Sequence, residues 1–259
     1  MRSKDIQPIL QDWDYDPNQV KARLIIGDDG RRKVQMRIEL GVIQMELFGR
    51  PDGKRPGNYE SLLDLHLARL EKHRRLHGGD AGFSLNEEEC YALQQESLQY
   101  YHRYLSLFHL GEFEGVIQDT EHNLRLFDLI HQYAEDERLR WLLENYRPYV
   151  LRMNTLARAE IEVQRRNYGR ALEYIQEGME RIEAFFRQHG REDLIEDSRE
   201  LEILRERAEQ IRAHRPRSRE EELERLLKEA IAAEDYERAA LLRDELRAAR
   251  GLQGERESF

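Results

Sequence analysis

The C-terminal stretch from Leu223 to Leu246 constrains this chain most, because its apolar residues allow only one arrangement. Leu223, Leu226, Leu227, Ala230 and Ile231 fall at i, i+3, i+4, i+7 and i+8, the stripe of an amphipathic helix. Glu220, Glu221 and Glu222 occupy its first turn, where negative charge suits the helix dipole. Asp235 is placed to cap a second helix, along which Ala239, Leu242 and Leu246 form a second stripe. Small residues at Ala239 and Ala240 let two helices approach closely. The expected unit is a helical hairpin. Two helices of about a dozen residues each bury too little apolar surface to stand alone, so the hairpin needs a further surface to rest on.

The acidic-aromatic-Glu corner Asp235-Tyr236-Glu237, the pair Ala239-Ala240 and the triplet Leu242-Arg243-Asp244 resemble the UVR motif. This is the helical hairpin shared by the UvrB and UvrC subunits of bacterial excision repair. Phe is usual where Tyr236 stands. The resemblance implies a docking element that pairs with another hairpin of its kind and does no chemistry. On that reading Tyr236, Ala239, Leu242 and Leu246 pack against Leu223, Leu226, Leu227 and Ile231. Ala240 would let the helices close up, and Arg243 and Asp244 would supply complementary charge. The implied partner is a protein, UVR-bearing or a second copy of this chain, with a homodimer as one outcome.

Ahead of the hairpin, Arg212, Arg215, Arg217 and Arg219 surround Pro216. Proline ends the preceding helix, so residues 213–219 read as a linker. The arginines either balance the neighbouring acidic helices or contact nucleic acid in an excision-repair or DNA-damage role. The net charge of −10 disfavours direct, non-specific nucleic-acid binding, which rests on phosphate neutralisation.

The N-terminal segment, residues 1–59, reads as an antiparallel β-meander. Val20 to Ile26 alternates, Gly27-Asp28-Asp29-Gly30 signals a hairpin, and Val34 to Leu40 alternates back. At Gly41 the parity flips, and Ile43, Met45 and Leu47 continue it, which predicts either a bulge or a turn into a third strand. Gln35, Arg37, Glu39, Gln44, Glu46, Arg50 and Asp52 form a polar cluster. It reads as the wet face of a half-covered sheet, or as a ligand or peptide surface.

Residues 60–212 read as helical. A helix over Ser61 to Leu70 ends at the Gly78-Gly79 break, and Ser84 with Glu87 predicts a capping box for the next. Arg103 to Ile117 resembles Arg158 to Leu172: a helix, a corner, an aromatic residue, then a small or apolar residue three places on. That pattern is similar to tetratricopeptide repeats. The offset of about 55 residues exceeds the usual repeat of about 34, and a further helix over Asp136 to Tyr146 is expected to fill it. The fold class is therefore mainly α with a small N-terminal β-meander, that is α+β, with a tetratricopeptide-like body and the hairpin of residues 220–252.

The sequence carries no motif of the chemistry that usually accompanies this element. UvrB has a Gly-x-x-x-x-Gly-Lys-Ser/Thr phosphate loop, but here Gly53-Lys54 is followed by Arg55. No segment resembles the UvrC nucleases. His66, His73 and His77 share a helix face but stand among Arg69, Lys72, Arg74 and Arg75, and read as solvated. A single cysteine, Cys90, precludes a multi-cysteine zinc site, and its glutamate neighbours disfavour a thiolate. No apolar run of about 18 residues is present. The expectation is a non-catalytic cytoplasmic adaptor of bacterial type, with no cofactor and no metal.

Overall fold

The computed structural model describes residues 5–216 and 219–254. The chain divides into two compact units, Met1–Glu209 and Gln210–Phe259. It is mainly α-helical, with one small antiparallel sheet near its N-terminal end.

The first unit opens with a short helical turn, α1 (Gln7–Leu10), and then β1 (Ala22–Ile26), β2 (Arg32–Ile38) and β3 (Gly41–Glu46) in the order β1-β2-β3. The first turn forms as the Asp-Gly signal predicts. Gly27 donates its N–H to the Arg31 carbonyl at 2.8 Å, and Gly30 takes the left-handed φ of 75° that favours glycine. The parity flip at Gly41 is a turn, not a bulge. Ile38 pairs with Gly41, leaving Glu39 and Leu40 as the two turn residues. One face of the sheet carries Leu24, Val34, Met36, Ile43 and Met45 into a core shared with Tyr104, Leu107, Phe113 and Val116. Alternation along each strand places these residues on the helix side.

Helix α2 (Leu62–His77) is capped at its start by Ser61 and ends at Gly78 with φ 75°. The next helix, α3 (Glu87–His109), corrects an expectation. Its capping box is formed by Asn86 and Glu89, each bonding the other's backbone N–H, while Ser84 donates instead to Glu135. The reason is local pairing: Leu85 bonds Tyr133 and Glu135 through its backbone, so the chain is still extended at Ser84 and enters the helix two residues later.

Helices α4 (Phe113–Tyr133), α6 (Arg147–Gln164) and α7 (Tyr168–Gln188) continue the body, with α3 against α4, α4 against α6 and α6 against α7. The region expected to hold a further helix carries only a single turn, α5 (Glu137–Arg140), and a 3-10 turn at Glu144–Tyr146. Pro148 begins α6 in the first-turn position where a missing N–H costs nothing. Gly178 of α7 lies so close to Thr155 of α6 that a methyl group there would overlap the threonine side chain. Helix α8 (Arg199–His214) follows, with Arg207 holding Glu160 of α6 at 2.6 Å.

The second unit contains the hairpin, α9 (Arg219–Ala232) and α10 (Tyr236–Gly254), packed against each other.

Candidate docking hairpin

The hairpin corner is set by backbone geometry. Asp235 donates its N–H to the Ala230 carbonyl at 2.9 Å, Glu234 donates to Ile231 at 3.0 Å, and Glu234 adopts a φ of 58°. These bonds satisfy the last carbonyls of α9 and turn the chain in a left-handed residue. Asp235 then caps α10 through its side chain, which accepts from the Arg238 N–H at 3.1 Å.

Two corners in the helical body repeat this stereochemistry. Glu112 donates to Leu107 at 2.9 Å after Gly111 with φ 75°, and Asn167 donates to Glu162 at 2.8 Å after Arg166 with φ 61°. Each corner is followed by an aromatic residue, Phe113, Tyr168 or Tyr236, and three places on by a buried Val116, Ala171 or Ala239. The resemblance seen between residues 103–117 and 158–172 is therefore a repeated corner, and the C-terminal hairpin shares it.

The three corners differ in one respect. Phe113 is buried and packs edge-on against Phe108, with ring centroids 5.4 Å apart. Tyr236 is 70% exposed. Ile231 beside it is 53% exposed, and Leu241 on α10 is 68% exposed.

The hairpin core consists of Leu223, Ala230, Ala239, Leu242 and Leu246, with Leu226 and Leu227 packed partly against it. This corrects the expected packing at two positions: Ile231 and Tyr236 point outward, and Ala230 takes the inner place. Ala230 lies seven residues from Leu223, almost two whole turns, whereas Ile231 is rotated a further 100°. Tyr236 opens α10, and helical side chains lean toward the helix N-terminus, so its ring points past the end of the hairpin. Ala240 is exposed rather than between the helices. Arg243 and Asp244 are exposed and 4.0 Å apart at their charged atoms, with Arg247 equally near Asp244. On the helix wheel Tyr236, Ala240 and Arg243 share a stripe at i, i+4 and i+7, Asp244 lies beside it, and Leu241 is rotated about 100° beyond Ala240, on the side away from the hairpin core.

Arg212 ends α8 in its last turn and, like Arg215, is exposed, while Arg217 and the side chain of Arg219 lie outside the described residues. Helix α8 ends at His214, ahead of Pro216, as proline requires.

Elsewhere the polar residues turn inward more than their sequence pattern indicates. Gln35, expected on a wet face, is 5% exposed: its amide oxygen accepts from Arg23 at 2.8 Å and its amide nitrogen donates to Gln44 at 2.8 Å. The N-terminal segment covers that face, with Arg23 stacked 4.0 Å over Trp13 and Arg37 donating to the Trp13 carbonyl. Glu46 is held by Lys33 at 2.5 Å. The loop after β3 is tied down by Arg103, which donates to the carbonyls of Glu46 and Gly49 and forms a two-pronged pair with Asp119 at 2.9 and 2.6 Å. Beside it the fully buried Glu96 caps α2, accepting from the N–H groups of Leu62 and Leu63, with Arg50 Nε 3.0 Å and His122 Nε2 3.3 Å away. Burial pushes the Glu96 carboxyl up, but His122 and the N–H groups of Leu62 and Leu63 outweigh it and hold it below the ordinary glutamate value. His122 stacks on Tyr100 with centroids 3.7 Å apart.

His66 is buried rather than solvated, with Nδ1 2.9 Å from Arg69. Burial lowers its pKa, and the Arg69 charge adds to the effect. His73 stacks near His77 at 4.4 Å, and among the described residues no group of three His, Cys, Asp or Glu side chains is placed to hold a metal. Cys90 is fully buried, and burial first, then Glu89 and Glu135, raise its thiol to about 11. Among the described residues no helix is long and apolar enough to cross a membrane.

No curated protein and no solved structure matches the chain. The hairpin, at residues 220–252, matches the UvrB/uvrC motif, and the chain is thus one that carries a UVR element at its C-terminal end.

Proposed function

We propose that this chain is a non-catalytic adaptor that docks a protein partner through its C-terminal hairpin. The partner class the motif favours is another UVR-bearing hairpin, including a second copy of this one. One observation carries the reading: Tyr236, Ile231 and Leu241 are bare on a hairpin in which, among the described residues, only five side chains form the buried core. Large apolar groups left in water around so small a core favour association, because burying them removes apolar surface from solvent. Of the two matching corner residues of the body, Phe113 is buried and Tyr168 half-buried. Arg243 and Asp244 stand next to the bare residues and give the surface charges of both signs, which select partners more than they add affinity. An interface of this size is transient unless further surface joins it.

Truncation after Arg215 tests the proposal. The shortened chain is expected to keep its body folded by circular dichroism and to lose capture of UVR-bearing proteins from a lysate of the native cell. Equal capture with and without the hairpin would overturn it. Double-stranded DNA binding that weakens steeply with salt and is abolished by Arg212→Ala with Arg215→Ala would instead support nucleic-acid contact.

A further inference from the structure

The two edges of the sheet differ. At β3 the following loop folds back on the edge: the Glu46 N–H donates to the Pro51 carbonyl at 2.8 Å, and the Glu46 carbonyl accepts from Arg103. At β1 no such cover is present among the described residues. Arg37 donates to the Lys21 carbonyl and Gly27 to the Arg31 carbonyl, both at 2.8 Å, so Lys21, Arg23, Ile25 and Gly27 bond β2. Ala22, Leu24 and Ile26 therefore turn their N–H and C=O groups outward, and no hydrogen bond among the described residues reaches those groups.

Edge strands are ordinarily blunted by a proline, a bulge or a charged side chain set against pairing. The register of β1 with β2 is unbroken from Ala22 to Ile26, and the strand holds no proline. Its one charged residue, Arg23, is drawn over the sheet face: Nε donates to Gln35 at 2.8 Å, and the guanidinium lies 4.0 Å over Trp13. Ile26, at the end of the strand, is 67% exposed. A bare apolar residue on an unblunted edge favours pairing with a further strand.

The edge is complementary to itself. Antiparallel pairing about a two-fold axis at Leu24 sets Ala22 opposite Ile26, and Leu24 opposite Leu24, of a second copy. Every outward residue then exchanges both of its backbone bonds with its opposite. The large, exposed Ile26 covers the small Ala22, and Arg23 faces Ile25 rather than another cation. Moving the axis to Arg23, or pairing the strands parallel and in register, would set Arg23 beside Arg23, where like charges repel.

We infer that a second copy of this chain docks on the β1 edge, joining the two three-stranded sheets into one continuous antiparallel sheet. The contact is isologous: each copy offers the same strand, Ala22–Ile26. A pair of short strands is a small interface, so the dimer is weak and forms as concentration rises. The edge belongs to the first unit, and the inference stands apart from the docking proposed for the hairpin.

Sedimentation velocity on the full chain, with amide hydrogen exchange followed by NMR, tests this. Dimer is expected by about 100 μM. As it forms, the amides of Ala22, Leu24 and Ile26 are expected to gain protection, while that of Gln44, which faces outward on the other edge, gains none. Ile26→Lys puts a charge at an exposed edge position and is expected to weaken association about tenfold or more. Ala22→Pro gives a second reading, since it removes only an outward N–H at the first residue of the strand. A chain carrying Tyr236→Ser, Ile231→Ser and Leu241→Ser in the hairpin is expected to keep the dimer. A monomer at about 100 μM would overturn the inference. So would a dimer without protection at Ala22, Leu24 and Ile26, association unchanged in both edge variants, or a dimer lost with the hairpin variant.

Discussion

Asp235 reaches back five residues to donate its N–H to the Ala230 carbonyl, and that bond closes the corner between α9 and α10. It fixes the end of α9 so that Ala230 turns inward against Ala239 and Leu242, while Ile231 turns out. The apolar surface of the motif is thereby divided into a part that holds the hairpin together and a part left exposed.

The corner holds a strained residue. Glu234 has a φ of 58°, a conformation costly to any side chain with a Cβ, and Gly111 fills the same place in the body. Glu234→Gly is expected to stabilise the hairpin by about 1 kcal/mol. Hydrogen-exchange protection of residues 222–247 would rise. Unchanged or lower protection would show that the corner is not under strain.

Arg103 and Asp119 are each about 4% exposed, and the arginine also ties down the loop after β3. Arg103→Met leaves the Asp119 charge buried and unpaired and is expected to cost about 3–5 kcal/mol in urea unfolding. Arg103→Met with Asp119→Leu is expected to recover a large part of that loss, because no stranded charge remains. Additive losses in the double variant would contradict this pairing.

Glu96 links stability to pH. Its folded pKa lies below the ordinary value of 4.5, so the stability it contributes is present above pH 4.5 and is lost as pH falls through the folded value. Glu96→Gln removes that dependence. Unfolding free energies measured from about pH 5 to about pH 3 should fall less steeply in the variant than in the wild type. Parallel slopes would mean that other carboxylates dominate acid unfolding.

How much the sequence tells depends on the range of each signal. The strands, the Asp-Gly turn, the end of α2 at Gly78 and the two helices of the hairpin rest on neighbours a few residues apart, and they are legible. So is the repeated corner at Gly111 and Arg166, which a fixed aromatic-to-small spacing marks. The capping box moved from Ser84 to Asn86 because of a pairing between Leu85 and the end of α4, nearly 50 residues away. The acidic partners Asp119 of Arg103 and Glu96 of Arg50 look, in a chain with 52 acidic residues, like ordinary helix surface. Only the packing of the loop after β3 onto α3 reveals them. In the hairpin, both Ile231 and Ala230 fit an apolar stripe, and one turn of backbone geometry decides between them.

In the proposed function the outward residues of the hairpin dock a protein. The most direct test compares the full chain with a variant carrying Tyr236→Ser, Ile231→Ser and Leu241→Ser, in affinity capture from a lysate of the native cell. These residues lie outside the hairpin core, so helicity by circular dichroism should be unchanged. UVR-bearing partners are expected to be captured by the full chain and lost with the variant. Equal capture by both, with the hairpin folded in each, would contradict it.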